Sequence, residues 1–401
     1  MNEGCYIIEA NSWFDGDQLH NDAVRIVVEN GLIQKLIKPE EFNSMAETNL
    51  PIIKNNFVMP GLVEAHCHLF LNGDELKVEA RSEYLNRANL AEMLVVAKNN
   101  VERYRDFGVT LIRDAGDIHG VNIGIQKHIL TEVGYWPKIR VAGKAIRKAK
   151  NYGSFMALEV DADHTIEQIV DQIAVHANDL KIILTGIIDF EKGQVRGVPQ
   201  FDLSQAKIIC ECSKKYKLLT FAHCSGKTGI EIAIDACINS IEHGFFMFEE
   251  ALIKMAQNRI AWVPTFSPVY FQWSEPQQDG WSASALEGLK SILVNHFENL
   301  KKAFELGVPV VAGSDAGSYG VRHGYGLIDE LKHFLSTGVS LDKVLSSATT
   351  TPRRLWGEEE VSFKVGNTIN AIVLENSPME NIKNIASVIE IFVGKKSYKT
   401  N

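Results

Sequence analysis

The sequence predicts an α/β fold: a (β/α)₈ barrel of the TIM type carrying a small β-sandwich domain formed from both chain ends. From about residue 56 onward, short apolar strands alternate with longer helical segments, which is typical of parallel β/α units. Before that point and near the C-terminus, short β-branched runs between polar turns predict strands outside the barrel. The predicted β domain therefore comprises residues 1–56 plus 360–401, and the predicted barrel comprises residues 57–359.

The N-terminal stretch is predicted to form a small antiparallel sheet before the barrel begins. Its candidate strands are Cys5–Ala10, Ala23–Val28 and Leu32–Ile37. The dipeptide Asn30-Gly31, which separates the last two strands, is a strong signal for a tight turn.

Eight candidate strands make up the predicted barrel. They are Phe57–Val63, Val109–Arg113, Lys138–Ala142, Leu180–Leu184, Lys217–Ala222, Ser240–Glu242, Ile260–Pro264 and Val308–Ala312. The connecting segments show helical spacing; between Asn89 and Phe107 the apolar positions recur every three or four residues until Gly108 ends the pattern. An open doubly wound sheet is the alternative, but no glycine-rich phosphate loop follows the first strand.

Three further candidate strands follow the barrel at Ser362–Val365, Ala371–Leu374 and Ile389–Val393. They either rejoin the N-terminal sheet or form an independent tail. We expect the joint sheet, which the family resemblance described below also favours.

Composition narrows the class of protein. With 41 Lys+Arg against 50 Asp+Glu the formal charge is −9, which argues against a nucleic-acid partner. The sequence contains no apolar run of about 18 residues, so no membrane span is predicted. The visible N-terminus lacks a secretory signal and the six cysteines are scattered, so we expect a cytoplasmic protein. A homo-oligomer is compatible with the sequence.

Metal-ligating residue types recur where barrel strands end. His66 and His68 lie two apart as the first strand ends, and alternate side chains of a strand point the same way, so both can bind one metal ion. Further candidates at later strands are Lys181, His223, His243 and Asp315. Each has an ordinary structural explanation alone, such as a polar cap or a turn. Together they occupy the positions where barrel enzymes keep catalytic groups.

The ordered motifs resemble those of the amidohydrolase superfamily, closest to its prolidase-like and imidazolonepropionase-like branch. The motifs that carry the resemblance are PGLVEAHCH, LKIILTG, AHCSG, IEHG, GSDAG, HGYGLIDEL and ATTTPRRLWG. The resemblance covers nearly the whole chain, and it implies two divalent metal ions, with zinc as the expected metal.

The metal ligands implied by the resemblance are His66, His68, Lys181, His223, His243 and Asp315. Carbon dioxide would carboxylate the Lys181 amine at N6, and the resulting carbamate would bridge the two ions. A metal-bridging hydroxide would then attack the scissile carbonyl. Asp315 would accept the proton and pass it to the leaving nitrogen.

The predicted function is therefore hydrolysis of an amide or peptide-type C–N bond at a dinuclear metal centre, with a dipeptide or an N-acyl amino acid as the first expected substrate. A single-metal aminohydrolase, either a deaminase or a cyclic amidase, is an alternative that Lys181 argues against. Lactone or phosphotriester hydrolysis at the same centre stays open. A non-catalytic scaffold would be expected to have lost ligands.

Four residues are candidates for substrate binding: Arg147, Tyr152, Arg322 and His323. For the basic residue Arg147, which lies just before Tyr152, a solvated basic face is the competing explanation. A long aromatic loop, Pro264–Trp273, follows the seventh strand. It either covers an apolar substrate group or packs against the barrel.

Overall fold

The computed structural model of the chain describes residues 4–45, 50–276 and 280–400. Residues 1–3, 46–49 and 401, which the sequence analysis assigned to the β domain, lie outside the described residues, as do residues 277–279 of the barrel region. Within the described residues, no helix is long and apolar enough to cross a membrane.

The strands, in chain order, are β1 (Cys5–Phe14), β2 (Leu19–His20), β3 (Val24–Glu29), β4 (Leu32–Ile37), β5 (Ile52–Pro60), β6 (Leu62–Cys67), β7 (Val109–Asp114), β8 (Lys138–Val141), β9 (Ala145–Lys148), β10 (Ala157–Val160), β11 (Asp179–Ile183), β12 (Ile188–Asp189), β13 (Gln194–Val195), β14 (Leu219–Cys224), β15 (Ser240–His243), β16 (Ala261–Val263), β17 (Asn370–Leu374), β18 (Val388–Val393) and β19 (Lys396–Lys399).

The helices are α1 (Val78–Arg87), α2 (Leu90–Asp106), α3 (Val121–Ile129), α4 (Ile166–Ala174), α5 (Leu203–Lys215), α6 (Lys227–Asp235), α7 (Glu249–Asn258), α8 (Ser267–Ser274), α9 (Ala283–Leu306), α10 (Tyr325–Ser336), α11 (Leu341–Ser347) and α12 (Thr350–Trp356). Short 3₁₀ segments lie at Pro39–Met45 and Ile382–Ala386.

Both chain ends contribute to one eight-stranded sheet, which we call the end sheet. Its order is β19-β18-β17-β5-β1-β3-β4, with β2 beside β1, and β1 pairs with β5 in parallel. The C-terminal strands join through antiparallel pairing of β17 with β5. The sheet buries its own apolar cluster, which includes Ile26, Val58 and Phe392.

The predicted tight turn joins β3 to β4. Asn30 and Gly31 both have positive φ, 53° and 82°. Paired positive φ values give the turn whose twist matches that of the flanking strands. Alternate residues of β3 are buried in the end sheet, as expected for a strand with one covered face.

The barrel is built from parallel strands in the order β6, β7, β8, β11, β14, β15 and β16, with the segment 308–312 completing the ring. Neighbouring pairs β6–β7, β11–β14 and β15–β16 are all parallel. The Asn178 backbone N–H donates to the Val141 carbonyl at 2.8 Å, which connects β8 to β11. Bridges from Val310 to Trp262 and from Ala316 to Cys67 close the ring. The predicted α/β barrel with a β domain from both chain ends is thus confirmed.

The helix predicted between Asn89 and Phe107 is confirmed as α2. The Asn89 side chain accepts from the Glu92 backbone N–H, and the Glu92 side chain accepts from the Asn89 backbone N–H. This reciprocal pair satisfies two donors at the helix start. Gly108 has a φ of +75° just past the helix end, as the pattern indicated.

The first predicted strand, Phe57–Val63, is wrong in its bounds. The strand is interrupted at Gly61, between β5 and β6. The Gly61 backbone N–H donates to the Asn370 carbonyl, whereas the next N–H, that of Leu62, donates to the Gly108 carbonyl. Gly61 therefore marks the exchange of end-sheet partners for barrel partners. A Cβ at this position would lie 2.4 Å from the Thr110 side chain, so only glycine fits.

Two other predicted strands are also corrected. Val308–Ala312 contributes a single bridge at Val310 rather than a strand, because Pro309 has no N–H and the Ala312 N–H pairs with the Ser347 carbonyl. Ser362–Val365 forms bends and a turn that leads into Gly366, where φ is +93°. Conversely β19, an exposed Lys-rich edge strand, was not predicted.

Candidate metal centre

All six predicted metal ligands line a single cavity of about 200 Å³. His66 lies near the end of β6 and His68 just beyond it, Lys181 lies on β11, and His223 and His243 lie at the ends of β14 and β15. Asp315 follows the segment that closes the ring. The carboxyl ends of parallel barrel strands meet at one face, which explains why residues so far apart in the chain come together.

His66, His68 and Asp315 form the tightest donor group, with ligand atoms all within 4.8 Å of one another. Asp315 Oδ1 lies 3.8 Å from His66 Nε2 and 3.6 Å from His68 Nε2. Two imidazoles and a carboxylate match the ligand preference of a divalent transition metal.

The other ring nitrogen of each of these histidines is engaged by the protein. His66 Nδ1 lies 2.5 Å from Glu242 Oε2, and His68 Nδ1 lies 3.2 Å from the Gly116 carbonyl oxygen. Such contacts fix the ring orientation and the tautomer, and leave Nε2 as the lone-pair donor. Both rings are therefore held with Nε2 available to a metal ion.

His223 and His243 form a second pair, with ring centroids 4.6 Å apart. His243 Nδ1 contacts Thr265 Oγ1 at 2.7 Å, and His223 Nε2 contacts the Gly186 carbonyl oxygen at 3.4 Å. One nitrogen of each ring is thus left for a ligand, as in the first pair.

Lys181 lies between the two pairs, with Nζ 3.4 Å from His66 Nε2 and 4.8 Å from the centroid of the Phe221 ring. Only 1% of the residue is exposed. Burial lowers the pKa of the Lys181 amine, which raises the fraction of the neutral form. The neutral amine is the form that reacts with carbon dioxide.

Burial also keeps the four imidazoles neutral. It lowers the pKa of His68 and of His223 to about 3, with the nearby Lys181 charge adding to the effect. It lowers the pKa values of His66 and His243 as well. A neutral imidazole has the lone pair that a metal needs. Burial acts on the Asp315 carboxyl in the opposite sense and raises its pKa.

The backbone is strained at three positions of the site. His243, Thr265 and Asp315 have φ values of 67°, 49° and 55°, in the left-handed region that non-glycine residues rarely adopt. The Asp315 backbone N–H donates to the His66 carbonyl at 2.7 Å, which helps to hold that conformation. Strain of this kind concentrates at functional sites.

Two buried carboxyl groups that support the site were missed by the sequence analysis. Glu242 contacts His66 and also accepts from Arg113 Nη2 at 3.0 Å. Glu64 accepts from the backbone N–H groups of His66 and Ser314, at 3.1 and 2.8 Å. In both cases the sequence signal was an acidic residue within an otherwise apolar strand. Glu64 lies two residues before His66, and Glu242 lies directly before His243.

Of the four predicted substrate-binding residues, Tyr152 lines the cavity, with its ring 5.3 Å from that of His223. The described cavity wall does not include the other three. Arg147 is buried in an ion pair with Glu159. His323 Nε2 contacts the carbonyl oxygen of His68 at 3.2 Å, and Arg322 lies 3.7 Å from Asp74.

The aromatic loop after the seventh strand is separate from the metal-ligand cavity. Most of the expected loop is in fact helix α8, on which Tyr270, Phe271 and Trp273 lie, and these three residues line a different cleft of about 950 Å³. The metal-ligand cavity takes its apolar surface instead from Leu71, Leu85, Phe155, Met156 and Tyr319.

Comparison with known proteins decides the family. Residues 57–397 match the amidohydrolase family. The chain belongs to the amidohydrolase family. Membership confirms the predicted superfamily and the predicted class of enzyme, a hydrolase of C–N bonds.

Individual relatives of this amidohydrolase are distant. An uncharacterized protein of Mycobacterium tuberculosis is 26% identical over 306 residues, which cover 76% of each chain. The ochratoxinase of Aspergillus niger is 21% identical over 422 residues, covering 96% of this chain and 84% of the ochratoxinase.

Two solved structures share the fold over nearly their whole length. The A. niger ochratoxinase has a TM-score of 0.84 at 19% identity and covers 99% of this chain and 96% of its own. A Xaa-Pro dipeptidase with methionine bound in its active site has a TM-score of 0.80 at 23% identity. The match covers 98% of this chain and 100% of the dipeptidase chain. These likenesses confirm the barrel with its appended β domain.

Proposed function

We propose that this amidohydrolase cleaves the amide bond of a small dipeptide or N-acyl amino acid at a dinuclear metal centre. The observation that carries the proposal is the single cavity lined by four imidazoles, one lysine and one aspartate. The donor chemistry fits two divalent ions, because each imidazole already uses one nitrogen on a protein contact and keeps the other.

The ligand assignment follows from the two histidine pairs. His66, His68 and Asp315 would hold one ion, and His223 with His243 would hold the other. Lys181, carboxylated at N6, would connect the pairs, and its burial supports this because it favours the neutral amine that carboxylation requires. Imidazole and oxygen ligands suit zinc best among the common metals.

Divalent cations held by these residues would supply a water molecule of lowered pKa and would polarise the scissile carbonyl. The chain contributes the proton transfers and the shape of the site. Asp315, with 13% of its side chain exposed, would accept the proton of the attacking water and return it to the leaving nitrogen. In the metal-free protein burial raises the pKa of this carboxyl, and a bound cation would act in the opposite sense.

The substrate class is proposed from the size of the cavity and from the structural relatives. A cavity of about 200 Å³ is smaller than most pockets for drug-sized ligands. A dipeptide or a short N-acyl amino acid fits such a volume, and a Xaa-Pro dipeptidase lies among the structural relatives. Every residue of the cavity wall lies between His66 and Tyr319, so we place the whole catalytic machinery in the barrel, residues 57–359.

A single-metal aminohydrolase is the second candidate. It is favoured by the donor group itself, because only His66, His68 and Asp315 lie within 4.8 Å of one another among the described residues. The metal content of the purified, metal-saturated protein separates the two. Two ions per chain support the dinuclear proposal, and one supports the alternative.

The reaction is tested by incubating the zinc-loaded protein with dipeptides, N-acyl amino acids, cyclic amides, lactones and a phosphotriester. We expect amine release from the first two groups and its loss after chelation. Turnover confined to lactones or phosphotriesters would refute the amide-bond proposal while leaving the metal centre intact.

A further inference from the structure

Besides the candidate metal ligands, the cavity wall contains one strongly basic side chain, Arg81 on α1. Helix α1 belongs to the long connection between β6 and α2, from which Leu71, Arg81 and Leu85 line the cavity. Among the described lining residues, Asp315 is the one acidic residue, and it belongs to the metal-ligand group. Arg81 is therefore the one cationic side chain of the described cavity wall that is not itself a candidate metal ligand.

The Arg81 guanidinium is fixed by backbone carbonyl groups. Nη1 donates to the Asn72 carbonyl at 2.7 Å, and Nη2 donates to the Gly317 carbonyl at 2.9 Å. Gly317 is two residues beyond Asp315, so the second contact anchors the guanidinium beside the candidate metal group. Nη1 also donates to the Glu75 carbonyl at 3.4 Å. Of the five N–H donors of the guanidinium, these contacts leave two, one on Nε and one on Nη2, for a ligand.

No acidic side chain of the described residues forms an ion pair with Arg81, although the charge of the nearby Glu75 acts on its guanidinium. Within residues 4–45, 50–276 and 280–400, no acidic oxygen comes within ion-pair distance of an Arg81 nitrogen, whereas Arg87 on the same helix pairs with Glu83 at 2.7 Å. The neighbouring Glu75 side chain instead accepts from the Lys77 backbone N–H at 2.9 Å. A partly buried cation without an anion is unfavourable, and an anionic ligand would relieve it.

We propose that Arg81 binds the free carboxylate of the substrate, so that the enzyme selects N-acyl amino acids or dipeptides over neutral amides. This inference rests on the proposed amide hydrolysis. The planar guanidinium matches a carboxylate through two parallel hydrogen bonds. The adjacent apolar wall, formed by Leu71, Leu85 and Phe155, would take an apolar amino-acid side chain.

The first experiment compares N-acetyl-L-methionine with N-acetyl-L-methioninamide as substrates of the zinc-loaded full chain. For Arg81→Gln we expect kcat/KM for the acid to fall about 10- to 100-fold, mainly through KM, since charged hydrogen bonds contribute this much. The carboxamide should change less than about threefold. Arg81→Lys should recover part of the loss, and Arg87→Gln, which removes an exposed arginine of the same helix, should behave as wild type.

A purely structural role predicts a different result. If Arg81 only tethers the segment at Asn72 to Gly317, Arg81→Gln will lower turnover of the acid and of the carboxamide equally. That result would overturn the proposal.

Binding measured without turnover separates this inference from the proposed function. Calorimetry compares L-methionine with 3-(methylthio)propylamine, which lacks the carboxylate. We expect the wild type to bind L-methionine at least tenfold more tightly than Arg81→Gln does, and the amine to bind both equally. Arg81-dependent binding without amide hydrolysis would retain the inference and refute the function. Equal binding of L-methionine by both proteins, or none by the wild type, overturns the inference.

Discussion

Glu242 Oε2 lies 2.5 Å from His66 Nδ1, and both side chains are essentially fully buried. The same carboxylate accepts hydrogen bonds from Arg113 Nη2 at 3.0 Å and from the Ser240 hydroxyl at 2.6 Å. Glu242 is therefore held in place by two other donors while it orients a candidate metal ligand. An imidazole that donates to a carboxylate is also a more basic ligand.

Replacing Glu242 with glutamine should weaken metal binding. The amide side chain is neutral, so it no longer compensates the buried Arg113 and no longer fixes the His66 tautomer. We expect the affinity for the first zinc ion to fall about 10- to 100-fold and the protein to lose a few kcal/mol of stability. Chelator competition measures the affinity, and urea unfolding of the metal-free protein measures the stability.

Ser240→Ala is the matched control, because it removes a donor to Glu242 without touching His66. It should cost about 1 kcal/mol of stability and leave zinc affinity within about threefold. Unchanged zinc affinity in Glu242→Gln would show that Glu242 serves the packing of Arg113 alone.

Much of the fold could be predicted because it depends on local patterns. The Asn30-Gly31 turn, the capped helix α2 and most barrel strands all carry their signals within a few residues. The errors arose where distant contacts decide the structure. At Gly61 the strand changes partners because Asn370 and Gly108 lie on either side, and nothing near Gly61 in the sequence shows this.

In the candidate site, too, some residues could be predicted from local sequence patterns, whereas others depend on distant contacts. His66, His68 and Asp315 could be placed together because each lies at or just after the end of a predicted barrel strand, and the ends of parallel barrel strands share one face. The contacts of Glu242 with His66 and of Arg81 with Gly317 span 176 and 236 residues. No spacing rule connects such pairs, and Arg81 carries no signal that separates it from an ordinary surface arginine.

Lys181→Ala should remove the link between the two histidine pairs. We expect zinc content to fall from about two ions to about one per chain, with His66, His68 and Asp315 retaining the tighter site. Metal analysis by mass spectrometry measures the ratio. Carbon-13 NMR of wild type prepared with labelled bicarbonate should show a carbamate signal that Lys181→Ala lacks. Two tightly bound ions in Lys181→Ala would contradict the assignment of Lys181 as a bridge.

Asp315→Asn should separate metal binding from proton transfer. Asparagine tolerates the left-handed conformation that Asp315 adopts, so the variant is expected to fold. It cannot accept the proton of water, so kcat should fall about 10²- to 10⁴-fold while both metal ions remain bound. Stopped-flow or discontinuous assays at matched zinc content measure the change. Near-normal kcat with full metal occupancy would exclude Asp315 as the proton carrier.

Glu330 on α10 provides a pH-dependent contribution to stability away from the metal ligands. Its Oε1 accepts from the Ser267 backbone N–H at 2.6 Å and from the Ser267 hydroxyl at 2.7 Å, which ties α10 to α8. Its Oε2 has no hydrogen-bond partner within the described part of the chain. Burial raises the pKa of this carboxyl from 4.5 to about 8.

Because the folded state holds this proton more tightly than the unfolded state, the stability contribution is full below pH 4.5 and is lost as the pH rises to about 8. Glu330→Gln keeps the acceptor for Ser267 and cannot ionise. Its unfolding free energy relative to wild type should therefore increase by about 1.4 kcal/mol per pH unit between pH 5 and pH 8. Urea unfolding across this range measures the difference.

Asp329→Asn, which alters a half-exposed ion pair with Lys332 on the same helix, is the control and should show no such slope. A constant difference between Glu330→Gln and wild type would mean that Glu330 is ionised in the folded protein throughout this pH range.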